Sequence, residues 1–533
     1  MIESIYIQNY KIFQSFELKC NSDINILVGD NEVGKSTILE AINLALTKKL
    51  NGRLIDYELS PFLFNQTTTA KYIQAIQEGK NPEPPNIVIE LYLSGDNPLW
   101  ASFRGNNNSK VQDICGIKLE ICFDENYRQE YAQLISEHRD QMYAIPIEYY
   151  KVIWLSFDNN FITTRGMPLN VSFTDSATIR LQNGADYYLQ DIIKTSLDVK
   201  ERVGLNISYR QLKESFCHLS SITTINNKLS EKARSMSDKQ LSIAMDLSPR
   251  SGWETHILPH LDEIPFHLSG QGEQNTLKIM LSLNKQAQGA DIILIEEPEN
   301  HLSFSSMTKL LRKIATACDG KQVFITTHST YVLNKLGIGR LILLNNSRSM
   351  IFNDLPADTQ NYFMKLSGYD TLRLIIAKKA ILVEGPSDEL ILQKAYFMKY
   401  NKMPIDDGID IINVRGLSFE RFLEIAISIH KNVSVVTDND GDFKKHIVRK
   451  YKKYDEYEFI HIYYSDDDTL PTLEPQLLAS NSLDIFNQIF GTQYTSIKDM
   501  TQYMEDNKTD CALQLFETSY PINFPEYINN AIS

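Results

Sequence analysis

Residues 29–37 read Gly-Asp-Asn-Glu-Val-Gly-Lys-Ser-Thr, a GxxxxGK[ST] run that constrains the fold more than any other feature of the chain. Such a loop works only between a buried strand and a helix. Glycine-permitted turns aim backbone N–H groups at phosphate oxygens, and the helix adds its positive end. Both neighbours are present. Residues 23–28, Asp-Ile-Asn-Ile-Leu-Val, read as a strand, and from 35 to 46 the apolar Ile38, Leu39, Ile42, Ala45 and Leu46 follow helical spacing. Gly29, Asn31, Gly34, Lys35, Ser36 and Thr37 are therefore the expected ATP-binding residues. Lys35 would reach the β- and γ-phosphates, and the Ser36 hydroxyl would meet magnesium.

The partner of such a loop is an apolar strand that ends in acid. Residues 292–297, Ile-Ile-Leu-Ile-Glu-Glu, have that form: Glu296 would hold magnesium, and Glu297 would orient the attacking water. Residues 291–295 and 322–326 are continuous apolar runs of the kind buried in parallel sheets. Alternating segments at 2–7 and 16–18 also predict strands, as do 87–93 (behind Pro82, Pro84 and Pro85) and 149–157. The charged stretch 186–243 has helical spacing and suits a helical insertion. A second alternation follows, with strands at 380–383, 410–414 and 433–437 and helices at 387–399 and 418–430. That βαβαβ order predicts a second parallel-sheet domain, so the fold class is α/β throughout.

The second domain carries its own chemistry. Glu384 ends one predicted strand, and Asp388 falls in the first turn of the next helix. Asp438, Asp440 and Asp442 follow another strand, and in a parallel sheet these ends converge on one crevice. Clustered carboxylates repel one another, and they suit hard cations such as Mg2+ or Mn2+. Two such ions about 4 Å apart can activate water and stabilise a leaving oxygen in phosphodiester hydrolysis. Asp442 could equally be a solvated turn residue. Directly after the acids come Lys444, Lys445, Arg449, Lys450, Lys452 and Lys453, read here as a track for a DNA backbone.

Net charge at first sight opposes that reading. Lys and Arg number 53 against 67 Asp and Glu, a net −14 over 533 residues, which argues against a protein that coats nucleic acid indiscriminately. It leaves acids gathered at metal sites, and a local basic track, untouched. No run of about 18 apolar residues exists, so no membrane-spanning helix is expected. The start, Met-Ile-Glu-Ser, lacks a secretory pattern, and the six cysteines show no CxxC pairing; a reducing cytoplasm is the expected compartment.

The motifs resemble a known family. Residues 268–274, Leu-Ser-Gly-Gln-Gly-Glu-Gln, look like the signature loop of ABC-type ATPases, Glu299-Asn300-His301-Leu302 like the D-loop and Thr326-Thr327-His328-Ser329 like the switch-histidine loop. The acid cluster resembles a Toprim domain. An SMC-like ABC ATPase followed by a Toprim domain resembles the OLD (overcoming lysogenization defect) family of ATP-dependent endonucleases. The same order occurs in the nuclease subunit of Gabija antiphage systems and in OLD-type effectors paired with retrons.

The resemblance implies an ATPase head in two parts, 1–185 and 251–375, with a helical, dimerising insertion at 186–250 and a Toprim nuclease at 376–533. Ser269, with Gly270, would touch the γ-phosphate held by another subunit, and His328 would sense it. Glu384, Asp388 and Glu474 would serve one metal, Asp438 and Asp440 the other, and Lys508 would stabilise charge on the scissile phosphate. Implied partners are DNA, a second or further copy of the chain, and a reverse transcriptase with its noncoding RNA or a helicase. Two departures stand out: Glu296 replaces the usual first Asp, and no Q-loop glutamine is evident beyond Gln66, so hydrolysis is expected to be slow. The competing readings are an SMC-like DNA-binding scaffold whose Toprim does not cleave and, last, a topoisomerase, for which no DNA-gate domain is visible.

Overall fold

A computed structural model describes residues 1–94, 98–164, 166–175, 181–182, 185–186, 197–234, 240–248, 252–253, 258–283, 291–317, 320–345, 348–351, 355–365, 370–416 and 418–533. Contacts divide the chain into two compact units, residues 1–327 with 342–349, and residues 328–341 with 350–533.

The first unit opens with β1 (Ile2–Tyr10), β2 (Phe13–Lys19), β3 (Ile24–Val28) and α1 (Lys35–Thr47). Strands β4 (Ile87–Leu93), β5 (Arg104–Gly105), β6 (Ile114–Phe123), β7 (Tyr150–Ser156) and β8 (Val171–Asp175) follow. Helices α2 (Val199–Cys217), α3 (Ser220–Arg234) and α4 (Gln271–Leu283) come next, then β9 (Ile292–Glu296), α5 (Phe304–Ala317), β10 (Gln322–Thr326), β11 (Leu341–Asn345) and β12 (Arg348–Ile351). One six-stranded sheet is antiparallel, in the order β2-β1-β4-β6-β5 with β7 on β6. The other runs β8-β9-β10-β3-β11-β12, and its pairs from β8 to β3 are parallel. Strands β3 and β10 are buried along their whole length, so they show no apolar–polar alternation; the buried Asn25 amide in β3 donates to the Asn21 carbonyl at 2.9 Å. The apolar face of α1, from Ile38 to Leu46, is buried as its spacing predicts. Helices α2 and α3 agree with the helical reading of 186–250; within it 187–196, 235–239 and 249–250 lie outside the described residues.

The second unit holds α6 (Thr330–Leu336), α7 (Ala357–Lys365), α8 (Thr371–Ile376), β13 (Lys379–Val383), α9 (Pro386–Tyr400), β14 (Ile409–Asn413), α10 (Phe419–Ser428), β15 (Asn432–Val436) and β16 (Ile460–Tyr463). Helices α11 (Leu473–Ala479), α12 (Leu483–Phe490), α13 (Ile497–Asp506), α14 (Lys508–Glu517) and α15 (Glu526–Ala531) complete it. Its sheet is wholly parallel, order β14-β13-β15-β16. Strand β13 thus has neighbours on opposite sides, and the switch point opens a crevice at the C-terminal ends of β13 and β15.

The helices after β16 pack a core of Phe486, Met500, Leu515 and Ile528 against Ile381, Ile391 and Leu392. Buried Lys394 on α9 donates to the carbonyls of Phe516 (2.9 Å) and Thr518 (2.6 Å), fastening the end of α14 to α9. The contact division departs from the expected boundary at 375/376. Helices α7 and α8 each pack on α6 inside this unit, and the buried Thr371 hydroxyl donates to Asn334 at 2.7 Å. Among the described residues no helix is long and apolar enough to cross a membrane.

Candidate active site

The phosphate loop of the first unit is held by sterics that only glycine satisfies. A Cβ on Gly29 would lie 2.6 Å from the Leu344 carbonyl oxygen. Gly34 sits at φ 98°, where a Cβ would meet Phe13 at 2.4 Å. The Lys35 ammonium donates to the carbonyls of Gly29 (2.9 Å) and Asp30 (2.7 Å), which closes the loop around its own lysine. Burial pulls the Lys35 pKa down, and Glu297, Asp30 and Glu296 oppose that. The Ser36 hydroxyl donates to Glu296, joining two expected magnesium residues that lie 260 positions apart. Asn31 is exposed at the tip and Thr37 half-buried beside Ser36.

Glu297 takes a left-handed backbone, φ 43°, and accepts from the Asn300 amide at 2.7 Å; its N–H donates to the Thr326 carbonyl at 3.0 Å. The D-loop segment is bound to both neighbouring motifs. Thr327 donates to Glu299 at 2.6 Å, and Asn275 on α4 donates to the Asn300 carbonyl at 3.2 Å. Ser269 is engaged locally, its hydroxyl donating to the Phe266 carbonyl at 2.7 Å, while the Gly270 carbonyl accepts the N–H of Gln274 at 3.0 Å. His328 falls in the second unit by contacts, and Gln66 opens the helix Gln66–Gln77.

In the second unit the sheet brings the expected carboxylates together. Glu384 follows β13 and accepts from the Thr437 hydroxyl at 2.6 Å. Asp388 accepts from the N–H of Gly385 at 3.0 Å at the start of α9. Glu474, in the first turn of α11, is buried; one of its oxygens lies 3.5 Å from the Lys508 ammonium and the other has no hydrogen-bond partner among the described residues.

The electrostatics record the crowding. Burial, then Glu384, pushes the Asp388 carboxyl up to about 7; burial, then Asp388 and Glu384, pushes Asp438 up to about 8. Lys508 opposes both shifts. Tyr527 on α15 is buried close behind and is pushed well above its usual range by burial and by Asp438, Asp388, Glu474 and Glu384. A cavity of about 240 Å³ opens in front, lined by Glu384, Thr437, Asp438, Asp440, Gly416, Ser418, Phe419, His446, Ile447 and Lys450.

These residues fit a divalent cation. Two carboxyls forced toward neutrality and an unpartnered buried glutamate oxygen are the state that a hard cation relieves. Yet among the described residues no three His, Cys, Asp or Glu side chains are arranged to hold an ion as they stand. The expected sets Glu384–Asp388–Glu474 and Asp438–Asp440 are thus neighbours without forming a ready-made cage.

Two of the sequence readings gain detail. Asp442 caps a helical turn, accepting the N–H of Lys445 at 3.0 Å, so the structure gives it a turn role. The basic run is not one uniform face. Lys450 lines the cavity, Lys453 pairs with Glu420 at 3.0 Å and Lys444 lies over Phe443, while Lys445, Arg449 and Lys452 are exposed.

Three residues were missed. Asn439, fully buried, donates to the carbonyls of Ser465 and Asp467 at 2.9 Å each and accepts from the Gly441 N–H, which anchors the loop bearing Asp438 and Asp440. Thr437 orients Glu384, and His446 faces the cavity. An amide between two acids was the only sequence signal for the first; nothing marked the other two.

Comparison with known proteins finds ATPase and Toprim matches on the chain. Residues 375–440 match the family "Overcoming lysogenization defect protein-like, TOPRIM domain", while 4–247 match an AAA domain and 185–333 an AAA ATPase domain. The Endonuclease GajA of Bacillus cereus is 22% identical over 475 residues, spanning 83% of this chain and 75% of its own. An ATP/GTP phosphatase of Helicobacter pylori is 25% identical over 342 residues, 62% of this chain and 85% of its own. The C-terminal region of the Burkholderia pseudomallei OLD protein covers 29% of this chain and 95% of its own at 18% identity, with a TM-score of 0.25, a superposition too loose to argue from.

A phosphate loop on one unit and a Toprim carboxylate crevice on the other define the class, an ATPase joined to a Toprim nuclease domain. Within that class the Toprim part is similar to that of OLD proteins, and the chain joins it to ATP-binding domains.

Proposed function

We propose that the chain is an ATP-regulated, two-metal DNA endonuclease of an antiphage defence system. The observation that carries the reading is the convergence of Glu384, Asp388, Asp438 and Glu474 with Lys508 at one sheet switch point. Glu384, Asp388 and Glu474 hold one divalent ion, Asp438 and Asp440 a second, and such ions supply Lewis acidity and an activated water at neutral pH. Thr437 keeps one Glu384 oxygen oriented, Asn439 holds the Asp438–Asp440 loop, and Lys508 stabilises negative charge building on the phosphate. In the ATPase head, Lys35 binds the nucleotide phosphates, Ser36 and Glu296 its magnesium, and Glu297 orients water. Ser269 and Gly270 meet ATP held by another copy, His328 senses it, and closure between copies gates DNA access. The assembly is a homodimer or larger, working with a reverse transcriptase and noncoding RNA or with a helicase.

One observation favours a second reading, a DNA-binding scaffold with a non-cleaving Toprim domain: no carboxylate group among the described residues is pre-arranged to hold an ion. Incubating the full chain with supercoiled plasmid, Mg2+ or Mn2+, and with or without ATP decides between them. Nicking or linearisation that needs the divalent ion and changes with ATP is expected. Intact plasmid in every condition, with DNA still bound, supports the scaffold.

A further inference from the structure

The cavity in front of the acids has two unlike walls. Glu384, Asp438 and Asp440 line one, from the ends of β13 and β15. The other is the helical turn Lys444–Arg449 and the residue after it, which contribute His446, Ile447 and Lys450. That turn is of the rare π type, a form found mostly as single-turn bulges in α-helices and frequent at functional sites. Among the described residues, His446 and Lys450 are the only cationic or ring-nitrogen donors lining the cavity. Their side chains make no hydrogen bond or ion pair with any described residue, although they face three carboxylates; the Lys450 ammonium rests 5.0 Å from the Tyr451 ring centre. Donors left unpaired opposite acids are placed for a ligand that brings its own negative charge between the walls. In a nuclease that ligand is the phosphodiester.

We propose that His446 is a further catalytic residue: its ring N–H, beside the Lys450 ammonium one turn on, hydrogen-bonds a non-bridging oxygen of the scissile phosphate. Cations held by the acid wall and these donors then grip the phosphate from opposite sides, with Lys508 supplying the third positive group. Imidazole keeps at least one N–H in either protonation state, so the contact requires no particular charge on the ring. A hydrogen bond that tightens as charge accumulates on the phosphate acts on turnover more than on binding. The assignment rests on the nuclease reading of the acid site.

The test uses the full chain, supercoiled plasmid and Mn2+, comparing wild type with H446A, H446Q, K450A and D438N, alongside duplex DNA affinity in Ca2+ and thermal melting. H446A is expected to lower kcat about 100-fold, the size seen when one donor to a developing charge is removed. DNA affinity should stay within about threefold, since a transition-state contact adds little to ground-state binding. H446Q, which keeps an N–H donor, should recover part of the rate, and K450A should weaken both turnover and affinity. Wild-type kcat in H446A with an inactive D438N removes His446 from the reaction and leaves the acid site standing. Equal losses in H446A and H446Q, with both melting well below wild type, make His446 structural. Wild-type cleavage by D438N overturns the acid-site reading, and the role of His446 with it.

Discussion

The two sites solve the problem of gathering charge in opposite ways. At the phosphate loop the charged groups are paired within the chain: Lys35 on two carbonyls, Ser36 on Glu296, Glu297 with Asn300. At the sheet switch point the pairing is incomplete. Asp388 and Asp438 are pushed up to about 7 and 8, one Glu474 oxygen lacks a partner, and His446 and Lys450 stand unpaired across the cavity. A loop that satisfies itself can exchange nucleotide without losing its shape. A cluster that does not depends on cations to become a defined site, and its geometry, hence its activity, should answer to metal concentration and pH.

Breaking the acid side gives the largest expected effect. Glu384→Ala or Asp438→Ala should reduce metal-dependent cleavage by well over about 100-fold, because loss of even an outer-shell partner of a metal ligand costs about 10- to 100-fold. Nucleotide affinity, followed with a fluorescent ATP analogue, should not move. Lys35→Ala should do the reverse: about tenfold or more lost in ATP affinity, as expected for a charge-assisted phosphate contact, with metal binding to the acid cluster retained.

Asn439→Ala tests whether the acid loop depends on one buried amide. Removing it orphans the Ser465 and Asp467 carbonyls and should cost about 2 kcal/mol of stability, read by denaturant unfolding, together with a loss of cleavage. Gly34→Ala forces a side chain into a left-handed backbone, and should cost about 1–3 kcal/mol while weakening ATP binding.

The smallest and most diagnostic effect is on pH. Burial and crowding push Asp388 and Asp438 up to about 7 and about 8 from an ordinary 3.8, so the folded state binds more protons than the unfolded state in between. Their stabilising contribution is full below the ordinary value and is lost as pH rises through 7 to 8. Without divalent ions the melting temperature should fall between about pH 4 and pH 8 and level off above, Asp438→Asn should flatten that fall, and Mg2+ should raise melting more at the alkaline end. A flat profile unaffected by Asp438→Asn would contradict the crowding at the acid site.

Local elements were legible in the chain itself. The spacing from 35 to 46 predicts the helix found at Lys35–Thr47, and the βαβαβ reading from Lys379 onward matches strands and helices to within two or three residues, since each rests on its own apolar periodicity. The antiparallel sheet was visible only as separate strands. Its pairing of β1 with β4 and of β6 with β7 joins segments far apart, and no local pattern encodes which strand meets which.

The site divides the same way. Glu384, Asp388 and Asp438 stand at strand and helix ends where the period itself exposes them, whereas Glu474 and Lys508 became site candidates only through the family resemblance. Asn439 gains its role from carbonyls 26 and 28 residues later, and His446 was hidden in a basic run whose members the fold sends in different directions.

Cleavage by the Glu384→Ala/Asp438→Ala double variant tests the central claim most directly. Full chain and double variant are titrated with Mn2+ on supercoiled plasmid, with ATP binding measured in the same preparations. Complete loss of nicking with unchanged ATP affinity is predicted. Undiminished nicking by the double variant would mean that the switch-point carboxylates are not where the phosphodiester is cut.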